Sequence, residues 1–327
     1  MPVTVSQSEV LKQSEAVFNQ FGPTTWIPNA QENAKLVTDH AEVLRNSGVG
    51  KTLLLVASGA SLEDNIDVIK KYRDRVDILV NDKGFGPLLD HGVKADFCML
   101  CDARIPFRYL EPWVDKTTGV TLISTCYGNT EWTKAWKGKK FFYVNRDSIF
   151  SERIFIPIMP KGTRTIPAGS NVSNAMLVFF TGSDNTQNIN WSGYDRFLLI
   201  GYDYSWRVGG NYYAWQNPKP KRYYMAHRTM LDLQGNIVRT SENLLFSAKW
   251  LYSYITTFRL PVVNCSERGL LMVGRGTLEK ELARINPDPS ARKKVQEIFS
   301  AGNHAFRAAN EMMAIFEQAR GGLLLWQ

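Results

Sequence analysis

Short apolar runs, each closed by glycine, proline or a polar cluster, recur along the chain at 52–57, 76–80, 97–101, 120–125, 141–144, 197–200 and 262–264. Most are rich in β-formers and do not alternate apolar with polar positions, as expected of strands buried on both faces. Helical periodicity fills 62–72, 171–180 and 242–257 between them. Strands alternating with helices predict an α/β fold with a doubly wound, mainly parallel, Rossmann-like sheet. Residues 1–47 read as polar helices with a turn at Phe21-Gly22-Pro23, and after Gly276 the pattern is helical again, broken by Pro287 and Pro289. The expected organisation is a central domain over 48–276 with helical extensions over 1–47 and 277–327. The stretch 206–240 is rich in Tyr, Trp, Pro, Lys and Arg without a clear period. It reads as a long lid over the sheet edge.

Composition narrows this frame. The chain has 327 residues, 44% of them hydrophobic and 21% charged, which is a globular balance. No apolar run reaches the roughly 18 residues of a membrane span. The first residues lack the charged and apolar blocks of a signal peptide, so a cytoplasmic location is the expectation. Four cysteines, Cys98, Cys101, Cys126 and Cys265, are too few for a disulfide framework in a chain this long. Cys98 and Cys101 share one strand, where positions i and i+3 point to opposite faces, and no second pair completes a zinc site. No bound metal is expected. The net charge of +8 admits nucleic acid, an anionic glycolipid or a phosphorylated small molecule as partner.

Candidate chemistry gathers at strand ends. Ser58-Gly59-Ala60-Ser61 follows the first strand and opens a helix, where free backbone N–H groups can hold a phosphate. A ligand-free turn explains the same residues equally well, and the glycines and lysine of a Walker loop are absent. Asn81 ends the second strand, where a turn is the competing explanation. Asp102 ends the third, at an edge that often faces a ligand crevice, with a salt bridge to Arg104 or Arg108 as the alternative. Gly169-Ser170-Asn171, with Asn174 one turn on, opens an apolar helix, as a ligand loop or a simple cap. Gly201-Tyr202-Asp203-Tyr204 ends a buried strand. His227, in the basic aromatic stretch Tyr223-Tyr224-Met225-Ala226-His227-Arg228, is the best placed of four histidines to act as a general base near neutral pH.

In order, these elements resemble the Maf-type (motility accessory factor) glycosyltransferases and the related bacterial lipooligosaccharide sialyltransferases. The resemblance spans roughly residues 50–280. It rests on Ser58-Gly59-Ala60-Ser61-Leu62, Asn81, Gly169-Ser170-Asn171-Val172 and Gly201-Tyr202-Asp203. It continues in Gly235-Asn236-x-Val238-x-Thr240 and Val263-Asn264-Cys265-Ser266-Glu267-x-Gly269. It implies transfer of a sialic-like nonulosonic acid from a cytidine monophosphate donor to a hydroxyl of a glycan, protein or nucleic acid, with His227 as base and no cofactor. It also implies that Tyr212 or Tyr213, with Tyr204, steadies the departing phosphate. Ser205 stands where the family has a second tyrosine, and Ala57 and Ala60 replace its glycine and proline. Self-association stays open.

Two other readings remain. An archaeal branch of the same superfamily resembles a 6-hydroxymethylpterin diphosphokinase using ATP and magnesium, for which Asp82, Asp102 and Asp203 would be ligands. The aromatic, basic stretch 206–228 also fits a nucleic-acid-binding protein, or a sugar transferase acting on DNA.

Overall fold

The computed structural model describes residue 16 and residues 18–146, 149–167, 169, 171–182, 190–215 and 228–286. Its centre is an eight-stranded sheet in the order β11-β7-β1-β2-β3-β4-β5-β6, every pair parallel. The strands are β1 (Thr52–Val56), β2 (Asp77–Asn81), β3 (Phe97–Leu100), β4 (Thr121–Thr125), β5 (Lys140–Asn145), β6 (Arg164–Ile166), β7 (Arg196–Ile200) and β11 (Val262–Asn264). The chain walks outward from β1 to β6, then returns to lay β7 on the other side of β1. That reversal makes the β1/β7 border a topological switch point, where open α/β sheets offer a crevice beyond their carboxyl ends.

The helices are α1 (Ile27–Ala34), α2 (Ser61–Lys71), α3 (Asp82–Asp90), α4 (Thr130–Ala135), α5 (Ile149–Ile158), α6 (Val172–Thr181), α7 (Glu242–Thr257) and α8 (Leu278–Ala283). The all-apolar strands follow from two covered faces. Leu53 and Leu55 of β1 face one core with α6 and α7, while Leu54 and Val56 face a second with α2 and α3. Cys98 lies in the second core, and Cys101 packs against the first. Their opposite orientation follows the strand period of two.

The N-terminal segment departs from expectation. Phe21-Gly22-Pro23 forms no turn; Gly22–Trp26 is a π-helical stretch that runs on into α1. Pro23 is the second residue of that stretch, which directly follows the helical residues 18–21. Asn33 of α1 is fully buried; its Nδ2 donates to the carbonyls of Cys126 and Gly128 at 2.8 and 2.9 Å, and Thr133 Oγ1 donates to its Oδ1 at 2.6 Å. These bonds fix the segment to the carboxyl end of β4.

The stretch 206–240 also differs from an unbroken loop. It contributes a small antiparallel sheet of β8 (Trp206–Arg207), β9 (Arg228–Leu231) and β10 (Ile237–Thr240), in the order β8-β10-β9. Asp232 closes the β9–β10 hairpin by accepting from Gln234 N and Asn236 N at 2.9 and 2.8 Å. No described helix is long and apolar enough to cross a membrane.

Candidate active site

A cleft of about 520 Å³ opens over the carboxyl ends of the strands from β7 across to β5. Its floor at the switch point is Ser58, Gly59, Gly201 and Tyr202; its middle is Asn81, Asp82, Lys83 and Asp102; its far end is Tyr127 and Asn145. Phe21 and Trp26 wall the far end, and Asn171, Ser173, Tyr204, Tyr212 and Tyr213 wall the near one. Trp26 stacks on Tyr127 with centroids 4.5 Å apart, and the Arg104 guanidinium lies 3.6 Å over the Phe21 ring. The N-terminal segment therefore builds one end of the site.

The switch point itself is tied closed. Gly59 N donates to Gly201 O at 3.0 Å, and Ser61 Oγ accepts from Gly201 N at 3.1 Å. Gly201 has φ +76°, and a Cβ there would stand 2.1 Å from Ala57 O, so only glycine fits. The Ser61 N–H at the start of α2 donates to Asp203 Oδ2 at 2.8 Å. A carboxylate from the chain's own β7 loop thus fills the seat that the sequence suggested for a phosphate. Asp203 is buried, its Oδ1 has no partner, and burial raises its pKa to about 6 against the pull of Ser61. Asp203, Ala60 and Ser61 face a separate cavity of about 180 Å³ beside β8 and β10.

Other expected residues are also structural. Asn174 is fully buried, donating to Gly169 O and Ser247 O at 2.9 and 3.1 Å and accepting from Tyr204 OH at 2.6 Å. The Tyr204 hydroxyl proton is therefore engaged away from any phosphate. Gly169 packs against the Trp250 ring, which its Cβ would approach at 2.4 Å. Ser58, Gly59, Asn81, Asp102, Asn171, Gly201, Tyr204, Tyr212 and Tyr213 do share the cleft. Ser170 and His227 lie outside the described residues. Of the three aspartates considered for magnesium, Asp82 and Asp102 meet in the cleft and Asp203 does not.

The middle of the cleft joins Asp82 to a lysine that the sequence did not single out. Asp82 is buried; burial raises its carboxyl pKa to about 6, with neighbouring Asp102 adding to the rise and Lys83 opposing it. Lys83 Nζ donates to Tyr213 OH at 2.7 Å and sits 4.5 Å from the same ring's centroid. Burial disfavours this ammonium, yet Tyr213 and the carboxylates of Asp82 and Asp102 prevail and raise its pKa. The one legible signal for Lys83 was its position close after a strand end.

Residues 24–209, more than half the chain, match the family described as 6-hydroxymethylpterin diphosphokinase MptE-like. The chain belongs to the MptE-like family. The matched segment contains the floor and the middle of the cleft of this MptE-like chain, while Tyr212, Tyr213 and His227 lie beyond it. The fold is similar to the solved structure of the Maf glycosyltransferase from Magnetospirillum magneticum AMB-1, with a TM-score of 0.58 at 18% identity. That likeness covers 83% of this chain but 42% of the other. No curated protein matches the sequence.

Proposed function

We propose that this chain is a transferase that takes a sugar from a nucleotide-activated donor and moves it to an acceptor hydroxyl. The observation that carries the reading is the cleft: a concave, aromatic-walled site at the switch point of a parallel sheet, where nucleotides bind in such folds. The fold likeness to a glycosyltransferase supports sugar as the group moved. Within this reading the donor is a cytidine monophosphate nonulosonate lying across Ser58, Gly59 and Asn171. The acceptor oxygen bonds to the sugar carbon as that carbon's C–O bond to phosphate breaks. The electron pair leaves on the phosphate oxygen, and the hydroxyl proton passes to His227. Tyr212 or Tyr213 donates a hydrogen bond to the departing phosphate.

A second reading follows from the family and from one feature of the cleft. Asp82 and Asp102 stand at the ends of adjacent strands and face the same space. A pair of carboxylates fits magnesium, which takes one or two of them together with substrate phosphates. Among the described residues no cluster of three or more ligating side chains occurs. When bound, the ion would neutralise the phosphates of ATP for diphosphoryl transfer, and Asp82 and Asp102 would hold it. The nucleic-acid reading loses one support, since Trp206 is buried against Tyr212 and is not free to stack on a base.

The test is thermal stabilisation by CMP, CDP, UDP, GDP and ATP, each with and without magnesium. A metal-independent shift by CMP is expected. A shift by ATP alone, and only with magnesium, would move the assignment to the diphosphokinase. No shift at all would remove the nucleotide from the account.

A further inference from the structure

The cleft runs from β7 across β1, β2, β3 and β4 to β5. At the usual interstrand spacing of about 4.8 Å it is roughly 24 Å long. A nucleotide at Ser58, Gly59 and Asn171 fills the near end and leaves the far half to the sugars. Among the described residues, two cations line the cleft, Lys83 in the middle and Arg104 beyond it. Lys83 is engaged by Tyr213 and by the charges of Asp82 and Asp102. The Arg104 guanidinium lies over the Phe21 ring, 3.6 Å from its centroid, and makes no hydrogen bond or ion pair with any described residue. Asp102, the nearest acid along the chain, accepts from the Arg104 backbone N–H at 2.8 Å and not from the guanidinium. The loop that carries Arg104 is pinned from both sides. Asn29 Nδ2 of α1 donates to Ala103 O at 3.3 Å, and Asn129 Nδ2 donates to Ile105 O at 2.8 Å.

We propose that Arg104, resting on Phe21, recognises the carboxylate of a sugar acid in the far half of the cleft. The proposal rests on the reading that the cleft binds a nucleotide-activated sugar. The contact with Phe21 uses no hydrogen bond, so the five N–H donors of the guanidinium remain for a ligand. Its planar fork matches the two oxygens of a carboxylate, with two parallel N–H···O bonds. The ring beneath it limits the side-chain freedom that binding would otherwise remove. Arg104 is exposed, so it stays hydrated until the acid arrives and the empty site carries no buried charge. The carboxylates of Asp82 and Asp102 around Lys83 disfavour a further anion there, which leaves Arg104 as the seat. A nonulosonate donor carries its carboxylate on the carbon whose bond to phosphate breaks. An acidic acceptor sugar carries one of its own. β3, which leads into the Arg104 loop, lies two strands from β1. That separation is roughly 10 Å, within reach of a sugar hung from a nucleotide at Ser58.

The test is calorimetry on the wild type, Arg104→Leu and Arg104→Lys. The probes are CMP, CMP-N-acetylneuraminate, and the methyl glycoside of N-acetylneuraminate added to CMP-loaded protein. The ratio of the CMP to the CMP-N-acetylneuraminate dissociation constant isolates the donor sugar, and the glycoside reports an acidic acceptor. Arg104→Leu is expected to lower that ratio, or the affinity for the glycoside, by about tenfold or more, the weight of a charge-assisted hydrogen bond. CMP alone should bind unchanged. A fall in the ratio assigns the carboxylate to the donor; loss of the glycoside with the ratio kept assigns it to the acceptor. Arg104→Lys should recover only part, because an ammonium lacks the planar fork. Urea midpoints confirm that each variant is folded. The proposal is overturned, with the nucleotide reading intact, if Arg104→Leu changes neither quantity or weakens CMP as much as CMP-N-acetylneuraminate. Wild-type protein that binds CMP but gains nothing from either sugar acid overturns it as well. Wild-type protein that binds none of the probes nor any other nucleotide overturns both.

Discussion

Replacing Asp203 with asparagine tests how the switch point is held. The carboxyl is buried with one oxygen on Ser61 N and the other without a partner, and its pKa stands at about 6 against an ordinary 3.8. The folded chain therefore keeps a proton that the unfolded chain releases first, so stability falls as pH rises through this range. A shift of about two units corresponds to about 3 kcal/mol once both states are ionised, above roughly pH 7. At pH 4.5 the same relation gives about 1 kcal/mol, because the unfolded carboxyl is already mostly ionised there. The asparagine side chain stands in for the protonated acid and carries no such penalty. Urea denaturation at pH 4.5 and pH 8 should therefore show Asp203→Asn gaining about 2 kcal/mol on the wild type between the two conditions. Asp82 titrates in both proteins and cancels from the comparison. A difference that is independent of pH, or a wild type that gains on the variant as pH rises, would refute the reasoning. The second result would show that the anion at the α2 N-terminus is net stabilising.

Other outcomes follow from the same geometry. Gly59→Ala places a Cβ 2.5 Å from both Gly201 O and Asp203 Oδ2, so it should cost about 1–3 kcal/mol in thermal unfolding, with or without nucleotide. Asn33→Ala leaves two buried carbonyls without donors and should lose about 3 kcal/mol by urea titration, loosening the wall that carries Trp26. Iodoacetamide on the native protein should label Cys101 first by mass spectrometry. Cys98, Cys126 and Cys265 are buried with thiols held protonated by burial, Cys265 at about 12. His227→Ala should abolish transfer while CMP binding persists; equal loss of both would remove His227 as the base.

The strands were legible because burial on both faces writes a continuous apolar run. Thr52–Val56 and Arg196–Ile200 declare themselves through composition alone. The helix starts at Ser61 and near Asn171 were legible from small polar residues before an apolar period. The α3 helix was not, because Gly84, Gly86 and Pro87 imitate a turn. The β8–β10 sheet was hidden because strands of two to four residues are too short to show a period. At the site, residue types marked the strand ends correctly but not the direction of each side chain. Asp203 and Ser58 both follow strand ends, yet one turns into a hydrogen bond with α2 and the other faces the cleft. Lys83 escaped notice because a lysine in a turn-like tetrapeptide gains meaning only when Tyr213, 130 residues on, meets it.

The central claim is that a nucleotide lies in the cleft beyond the strand ends. A crystal structure of the protein soaked with CMP addresses it directly. The account predicts density for the nucleoside between Ser58-Gly59 and Asn171, with the phosphate within hydrogen-bond distance of Tyr212 or Tyr213. Nucleotide density in the smaller cavity beside Asp203, or at the α2 N-terminus in place of that carboxylate, would contradict it.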